Sequence, residues 1–196
     1  MKIKILIIGK KSFISLILQK ELKNFFIIKT VDFQNFLKIE KKSLKKFRYI
    51  INCSLNKKYI TKKYNFKNDF DYKIANKIKD FDIRYILLST RKVYKIGDNL
   101  KENSKKAPKN IYSKNKLITE KKLFSLIKKK LLILRISNLI GFPKEKSSRK
   151  IHNTFIDHFF VCAKKGYVID NKENYKDFLS SNQFSNIIKM LIKKRI

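Results

Sequence analysis

The sequence predicts an α/β fold, a mainly parallel sheet flanked by helices, and three observations predict it. Ile3 to Ile8 is a continuous run of apolar character that stops at Gly9, as a strand buried on both faces does. A helical period follows at once, and a second apolar run then closes on Asp32. Further along, "RYIINCS", "IRYILLST" and "LLILRIS" repeat the buried-strand pattern with helical stretches between them.

Taken in order, "KKSFISLILQKELKNF" places Phe13, Ile14, Ile17, Leu18, Leu22 and Phe25 on one side of a helix, and "FIIKTV" is the second strand. Residues 34 to 46 show modest helical periodicity before the third strand at "RYIINCS". The stretch from Lys57 to Lys79 mixes its spacing and turns helical toward its C-terminal part, ahead of the strand at 83 to 90. A loop holding Gly97 and Pro108 leads to a helix from about Tyr112 to Lys129, then to the strand at 131 to 137. Beyond Gly141 the pattern loosens: "TFIDHFFVCAKK" reads as a helix, "GYVID" as a short strand and "NQFSNIIKMLIKK" as a terminal helix. With 196 residues, no internal repeat and no long linker, one domain over 1–196 is expected.

Composition narrows the function classes. The chain has 49 Lys plus Arg against 15 Asp plus Glu, a formal charge of +34. Such a charge attracts polyanions of any sequence, yet the lysines run from end to end with no nucleic-acid module or segregated basic stripe. Nonspecific nucleic-acid binding therefore stands as an alternative function, and specific recognition is not expected. Cys53 and Cys162 form no CxxC pair, so neither a disulfide framework nor a structural zinc site is indicated, and a cytoplasmic location is expected. No apolar run reaches the roughly 18 to 20 residues that span a bilayer, and membrane insertion is not expected. His152 and His158 do not share a helix face in the i,i+4 manner of a metal site, and no metal is predicted.

Chemistry concentrates at three places. A glycine at the end of the first strand allows a tight turn, and the free amides of the next helix point at a pyrophosphate. Gly9, Lys10, Lys11, Ser12, Phe13 and Ile14 are the candidate cofactor contacts. Ser12 and Ser15 stand where a dinucleotide fingerprint carries glycines, and Lys10 and Lys11 either attract phosphate or simply face water. Asp32 ends the second strand, where a carboxylate accepts hydrogen bonds from ribose hydroxyls and repels a ribose phosphate. NAD is favoured, with NADP kept open. Tyr112 and Lys116 lie one helical turn apart, and an ammonium near a phenol favours phenolate, as a proton-transferring tyrosine requires. Thr90, at the end of the preceding strand, is placed to hydrogen-bond the same substrate oxygen. Cys53 reads as a small buried residue rather than a nucleophile.

These segments resemble the extended short-chain dehydrogenase/reductase family, in its NAD-dependent epimerase/dehydratase branch. "KILIIGKKSFISLILQKEL" resembles the family's opening, "YILLSTRKVY" its threonine-bearing strand end, "NIYSKNKLITEKKL" its YxxxK helix and "LLILRISNLIGFP" the strand and loop beyond. "NYKDFL" is similar to a substrate-side segment in which the family usually has Arg-Asp-Phe. The resemblance implies a Rossmann-like fold, a small C-terminal substrate lobe over 141–196, and hydride transfer at a carbon of a nucleotide sugar. Tyr112 would be the acid/base, Lys116 would hold the nicotinamide ribose, and Thr90 would orient the substrate, with Asn138, Lys176 and Asp177 near it. It also implies a homodimer. The family's dehydratases carry an acidic pair after the threonine, where this chain has Arg91 and Lys92, so reductase or epimerase chemistry fits better. Ser12, Ser15 and a shortened C-terminal part keep one more alternative: an inactive Rossmann-fold binding or regulatory protein.

Overall fold

In the computed structural model, which describes residues 2–141, 155–167 and 177–195, five parallel strands form the central sheet. They are β1 (Lys4–Ile8), β2 (Ile27–Val31), β3 (Tyr49–Asn52), β4 (Arg84–Thr90) and β5 (Leu131–Ile136), in the order β2-β1-β3-β4-β5. Neighbouring side chains of a strand point to opposite sheet faces, and both faces are covered. This is why the strands read as unbroken apolar runs rather than as alternations. On one face Leu6, Ile8, Ile50, Tyr85 and Leu87 pack against α2 (Phe33–Lys38), α3 (Lys41–Leu44), α5 (Phe70–Ile78) and α6 (Ile111–Ile127). On the other, Ile5, Ile7, Ile51, Ile86 and Leu88 meet α1 (Phe13–Leu22) and α8 (Ser181–Lys193).

The fold is Rossmann-like, as the sequence predicts, with differences at the weakly patterned stretches. The modest periodicity at 34–46 becomes two short helices, because Ile39 turns to extended backbone (φ −66°, ψ 131°) and ends α2. Residues 57–79 hold α4 (Lys57–Thr61) as well as α5, each opened by a side-chain cap, Asn56 on Lys58 N and Asp69 on Tyr72 N. The helix expected at 112–129 begins at Ile111, where Asn110 caps Ser113 N, and stops where Lys128 takes a positive φ of 40°. The expected helix after residue 154 is α7 (Phe155–Lys164). Two three-residue strands, β6 (Asn138–Ile140) and β7 (Phe178–Ser180), pair in parallel as a separate small sheet. Runs this short carry no period from which to predict them. The strand expected at "GYVID" falls mostly at 168–170, outside the described residues, as do His152 and Lys176.

The amphipathic α8 opens with a reciprocal capping box between Ser180 and Gln183. It lays Phe184, Ile188 and Ile192, one turn apart, on the sheet beside Leu18 and Leu22 of α1. The C-terminal stretch thus supplies part of a covering layer of the main sheet. Strand register brings the carboxyl ends to one edge: Ile8 is opposite both Val31 and Asn52, while β4 continues past the end of β3 to Thr90, which is opposite Ile136. The direction in which successive strands are added reverses between β1 and β3, which opens a crevice at their carboxyl ends, the ligand edge of open α/β sheets.

Candidate functional site

At the β1 end of this edge Gly9 adopts φ +101°, a region that side-chain-bearing residues avoid. A Cβ there would lie 2.9 Å from Ser54 N and 3.0 Å from Cys53 C, so the loop after β3 crosses against the bare glycine. Ser12 is the N-cap of α1: its Oγ accepts from Ser15 N (3.2 Å), and the side chain folds back on its own helix. Ser15 is buried and accepts from Gln19 Nε2 (3.0 Å), which also donates to Lys10 O (3.1 Å). Both serines that replace fingerprint glycines are thus absorbed by local hydrogen bonds. The first-turn amides of Phe13 and Ile14 have no acceptor among the described residues, the usual condition of a helix start that meets an anion. Lys10 and Lys11 are exposed. Asp32 is exposed too, and its carboxylate makes no cap bond to α2.

The second part of the edge is built by β4 and α6. Thr90 is buried, and its Oγ1 accepts from Lys92 N (3.3 Å), while its O–H has no acceptor among the described residues. Helix α6 is divided along its length. Its first half buries Ser113, Asn115, Lys116, Thr119 and Glu120, whereas its last turns bury Leu123 and Ile127. A helix that turns polar groups inward near the ligand edge must pair each of them, and this one does so. Asn115 Nδ2 donates to Tyr59 O (2.7 Å) and Lys62 O (2.8 Å), pinning α4 beside α6. Thr119 donates to Asp69 Oδ2 (2.6 Å) and stands 2.6 Å from Tyr59 Oη.

Lys116 is the buried cation among these groups. Its Nζ donates to Asp71 Oδ2 at 3.0 Å and lies 5.7 Å from the centre of the Tyr59 ring. Asp71 Oδ1 in turn accepts from Asn52 Nδ2 (2.8 Å) and Tyr85 Oη (2.6 Å). Burial acts to lower the lysine's pKa, but the Asp71 carboxylate, with Tyr112 and Tyr59 adding to it, holds the ammonium above its ordinary range. Burial and then Asp71 push the Tyr85 phenol up, and the same two causes raise the Cys53 thiol, which keeps that residue far from a thiolate nucleophile. Asp69 is also raised, by burial first and by the charge of Asp71 second. Tyr112 is half-buried, its ring edge-on to Tyr59 with centroids 6.5 Å apart.

Around the rim, Arg91 Nη1 pairs with Asp177 Oδ2 (3.0 Å) and Asn138 Nδ2 donates to Asp177 O (3.1 Å). Beneath it Glu120 accepts from Ser89 Oγ (2.5 Å) and from Arg135 (Nη2, 2.7 Å), whose Nη1 reaches Tyr94 Oη (2.6 Å). Asp69, Asp71, Glu120 and Arg135 do not figure among the sequence-predicted site residues. A signal was present in "NDFDY", two acids at the start of an otherwise apolar, lysine-rich helix, where first-turn carboxylates are favoured.

No family model matches the chain, and no curated protein matches it. Solved structures do. UDP-N-acetylglucosamine 4-epimerase from Methanobrevibacter ruminantium, in complex with UDP-N-acetylmuramic acid, superposes with a TM-score of 0.71 at 18% identity over 95% of this chain and 72% of that one. The dTDP-4-dehydrorhamnose reductase of Clostridium acetobutylicum gives 0.73 at 20% identity, over 98% and 71%. That of Bacillus anthracis, in complex with NADP, gives 0.70 at 20%, over 100% and 72%. At these identities the likeness is one of fold. Among the described residues no helix is long and apolar enough to cross a membrane.

Proposed function

We propose that this chain is an NAD(P)-dependent oxidoreductase or epimerase that acts on a nucleotide sugar by hydride transfer, with NAD as the favoured cofactor. One observation carries the reading: the Gly9 turn, Asp32, Thr90 and the Tyr112–Lys116 turn of α6 all belong to the carboxyl-end side of one parallel sheet. The residues at that edge suit a dinucleotide. Gly9 is bare, and among the described residues two first-turn amides lack acceptors and the Asp32 carboxylate makes no cap bond, which leaves it available for ribose hydroxyls. The neighbours in fold include an epimerase of UDP-N-acetylglucosamine and reductases of dTDP-4-dehydrorhamnose, which supports a nucleotide sugar as substrate.

When bound, the nicotinamide supplies the hydride chemistry. The chain's own groups supply the rest. The amides of Phe13 and Ile14 would hold the pyrophosphate, Thr90 would donate a hydrogen bond to the reacting sugar oxygen and orient it, and Tyr112 Oη would give or take the proton at that oxygen. Lys116 contributes fixed positive charge beside Tyr112. In this reading residues 1–196 are one domain, a small substrate-side part within 141–196 includes Asp177, and Asn138 stands beside it at the rim.

The test is a titration of NAD and NADP side by side, followed by assays on UDP- and dTDP-linked sugars. NAD should bind more tightly than NADP, and Tyr112→Phe should abolish turnover while the fold and dinucleotide binding survive. Absence of binding of either dinucleotide at millimolar concentration rejects the reading. A second reading, a dinucleotide-binding protein without turnover, is favoured by the engagement of Lys116 with Asp71 rather than with an open cleft. A stoichiometric redox change on any nucleotide sugar eliminates it.

A further inference from the structure

Lys116 carries its charge to a place where a lone ammonium is not tolerated. The side chains of Lys116 and Asp71 are 3% and 4% exposed. Water cannot solvate either ion at that depth, so each depends on the other. Asp71 is itself immobilised, because Asn52 from the end of β3 and Tyr85 from β4 both donate to its second oxygen. One carboxylate on α5 therefore ties two strands to α6.

The ionisable groups around the ammonium are few. Asp69 and Asp71 approach from α5, Tyr59 from α4, Tyr85 from β4 by way of Asp71, and Tyr112 shares α6. Asp69 is no substitute for Asp71, because its oxygens are engaged by Tyr72 N, Tyr64 Oη and Thr119 Oγ1. Only Asp71, among the described residues, makes a hydrogen bond to Lys116 Nζ.

We propose that Asp71 is a positioning residue of this site, which fixes the Lys116 ammonium beneath the Tyr59 ring and preserves its charge for Tyr112 and for a bound dinucleotide. The inference deepens the cofactor reading above and rests on it. The sign of the effect follows from the environment. With the carboxylate present, Lys116 stays protonated through the neutral and alkaline range; with a neutral side chain at 71, burial is the leading influence left, and it favours the uncharged amine.

The experiment compares wild type, Asp71→Asn and Asp71→Glu by two measurements between about pH 7 and about pH 10. One is ¹³Cε NMR of the lysines, with the Lys116 signal assigned by its loss in Lys116→Met; the other is NADH affinity by fluorescence. In wild type Lys116 stays charged and affinity is flat with pH. In Asp71→Asn Lys116 titrates within the window, and NADH affinity falls by about ten-fold for each pH unit above the new pKa. Asp71→Glu keeps the charge and restores the flat profile. A merely structural role for Asp71 predicts a uniform loss at every pH instead. The proposal is overturned if Lys116 in Asp71→Asn stays charged to the top of the window, or if its NADH profile parallels wild type.

Should Asp71→Asn not fold, the double variant Asp71→Leu with Lys116→Met replaces the ion pair by apolar groups, a change that buried pairs often tolerate. It should fold and bind NADH weakly with no pH dependence, and wild-type affinity in it overturns the proposal. If wild type itself binds no NADH, the cofactor reading falls, while the titration of Lys116 in Asp71→Asn still decides for or against the role of Asp71.

Discussion

Gly9→Ala is the most direct probe of the turn that opens the site. Two separate strains arise. The backbone at φ +101° lies outside the regions open to alanine, a conformational penalty of about 1–2 kcal/mol. The added Cβ would stand 2.9 Å from Ser54 N and 3.0 Å from Cys53 C, both backbone atoms that cannot rotate away, and overpacking of this kind costs about 1–3 kcal/mol more. The sum, about 2–5 kcal/mol, is a large share of the roughly 5–15 kcal/mol that holds a domain folded. At about 2–4 °C per kcal/mol for a chain of this size, Tm should fall by about 4–20 °C. Gly97→Ala is the internal control, since its Cβ would meet nothing nearer than Leu100 Cδ2 at 3.8 Å and its φ is not positive. Urea unfolding followed by circular dichroism on the two variants should separate them by at least about 2 kcal/mol, and NADH binding should be lost in Gly9→Ala alone. Equal stabilities would show that the β3 loop yields to a side chain at residue 9 and would remove the steric argument for this turn.

Two further outcomes test the packing and the buried acids. Phe184→Ala, at a side chain 1% exposed between α8 and the sheet, should cost about 3–5 kcal/mol in urea unfolding; a loss below about 1 kcal/mol would mean that α8 is not part of the folded core. Asp69 is held above the usual carboxylate range by burial and then by Asp71, so its contribution is fully present below the ordinary value of about 4 and is lost as pH rises through the higher folded value. Asp69→Asn keeps a capping oxygen for Tyr72 N, and its stability relative to wild type should rise between about pH 4 and about pH 7. Urea midpoints at both pH values check this, and a relative stability that stays level or falls contradicts it.

Much of this architecture could be read directly from the chain. Buried parallel strands, a glycine turn and a helix with Ile17, Leu18 and Leu22 on one face are local patterns set by backbone geometry and by which side chains water rejects. The spacing of Tyr112 and Lys116 is equally local, because four residues of α-helix always return to the same face. Other features depend on contacts between distant residues. The division of 34–46 into two helices, the three-residue strands β6 and β7, and the seat of α8 beside α1 follow from packing, which no periodicity encodes. The partner of Lys116 lies 45 residues away on another helix, and the pairing of Glu120 with Arg135 joins a helix to the next strand. Composition marks a lysine in a chain of lysines as ordinary. Its burial against a carboxylate, where water cannot screen or solvate either charge, is what sets this one apart, and that depends on where the folded chain places α5 against α6.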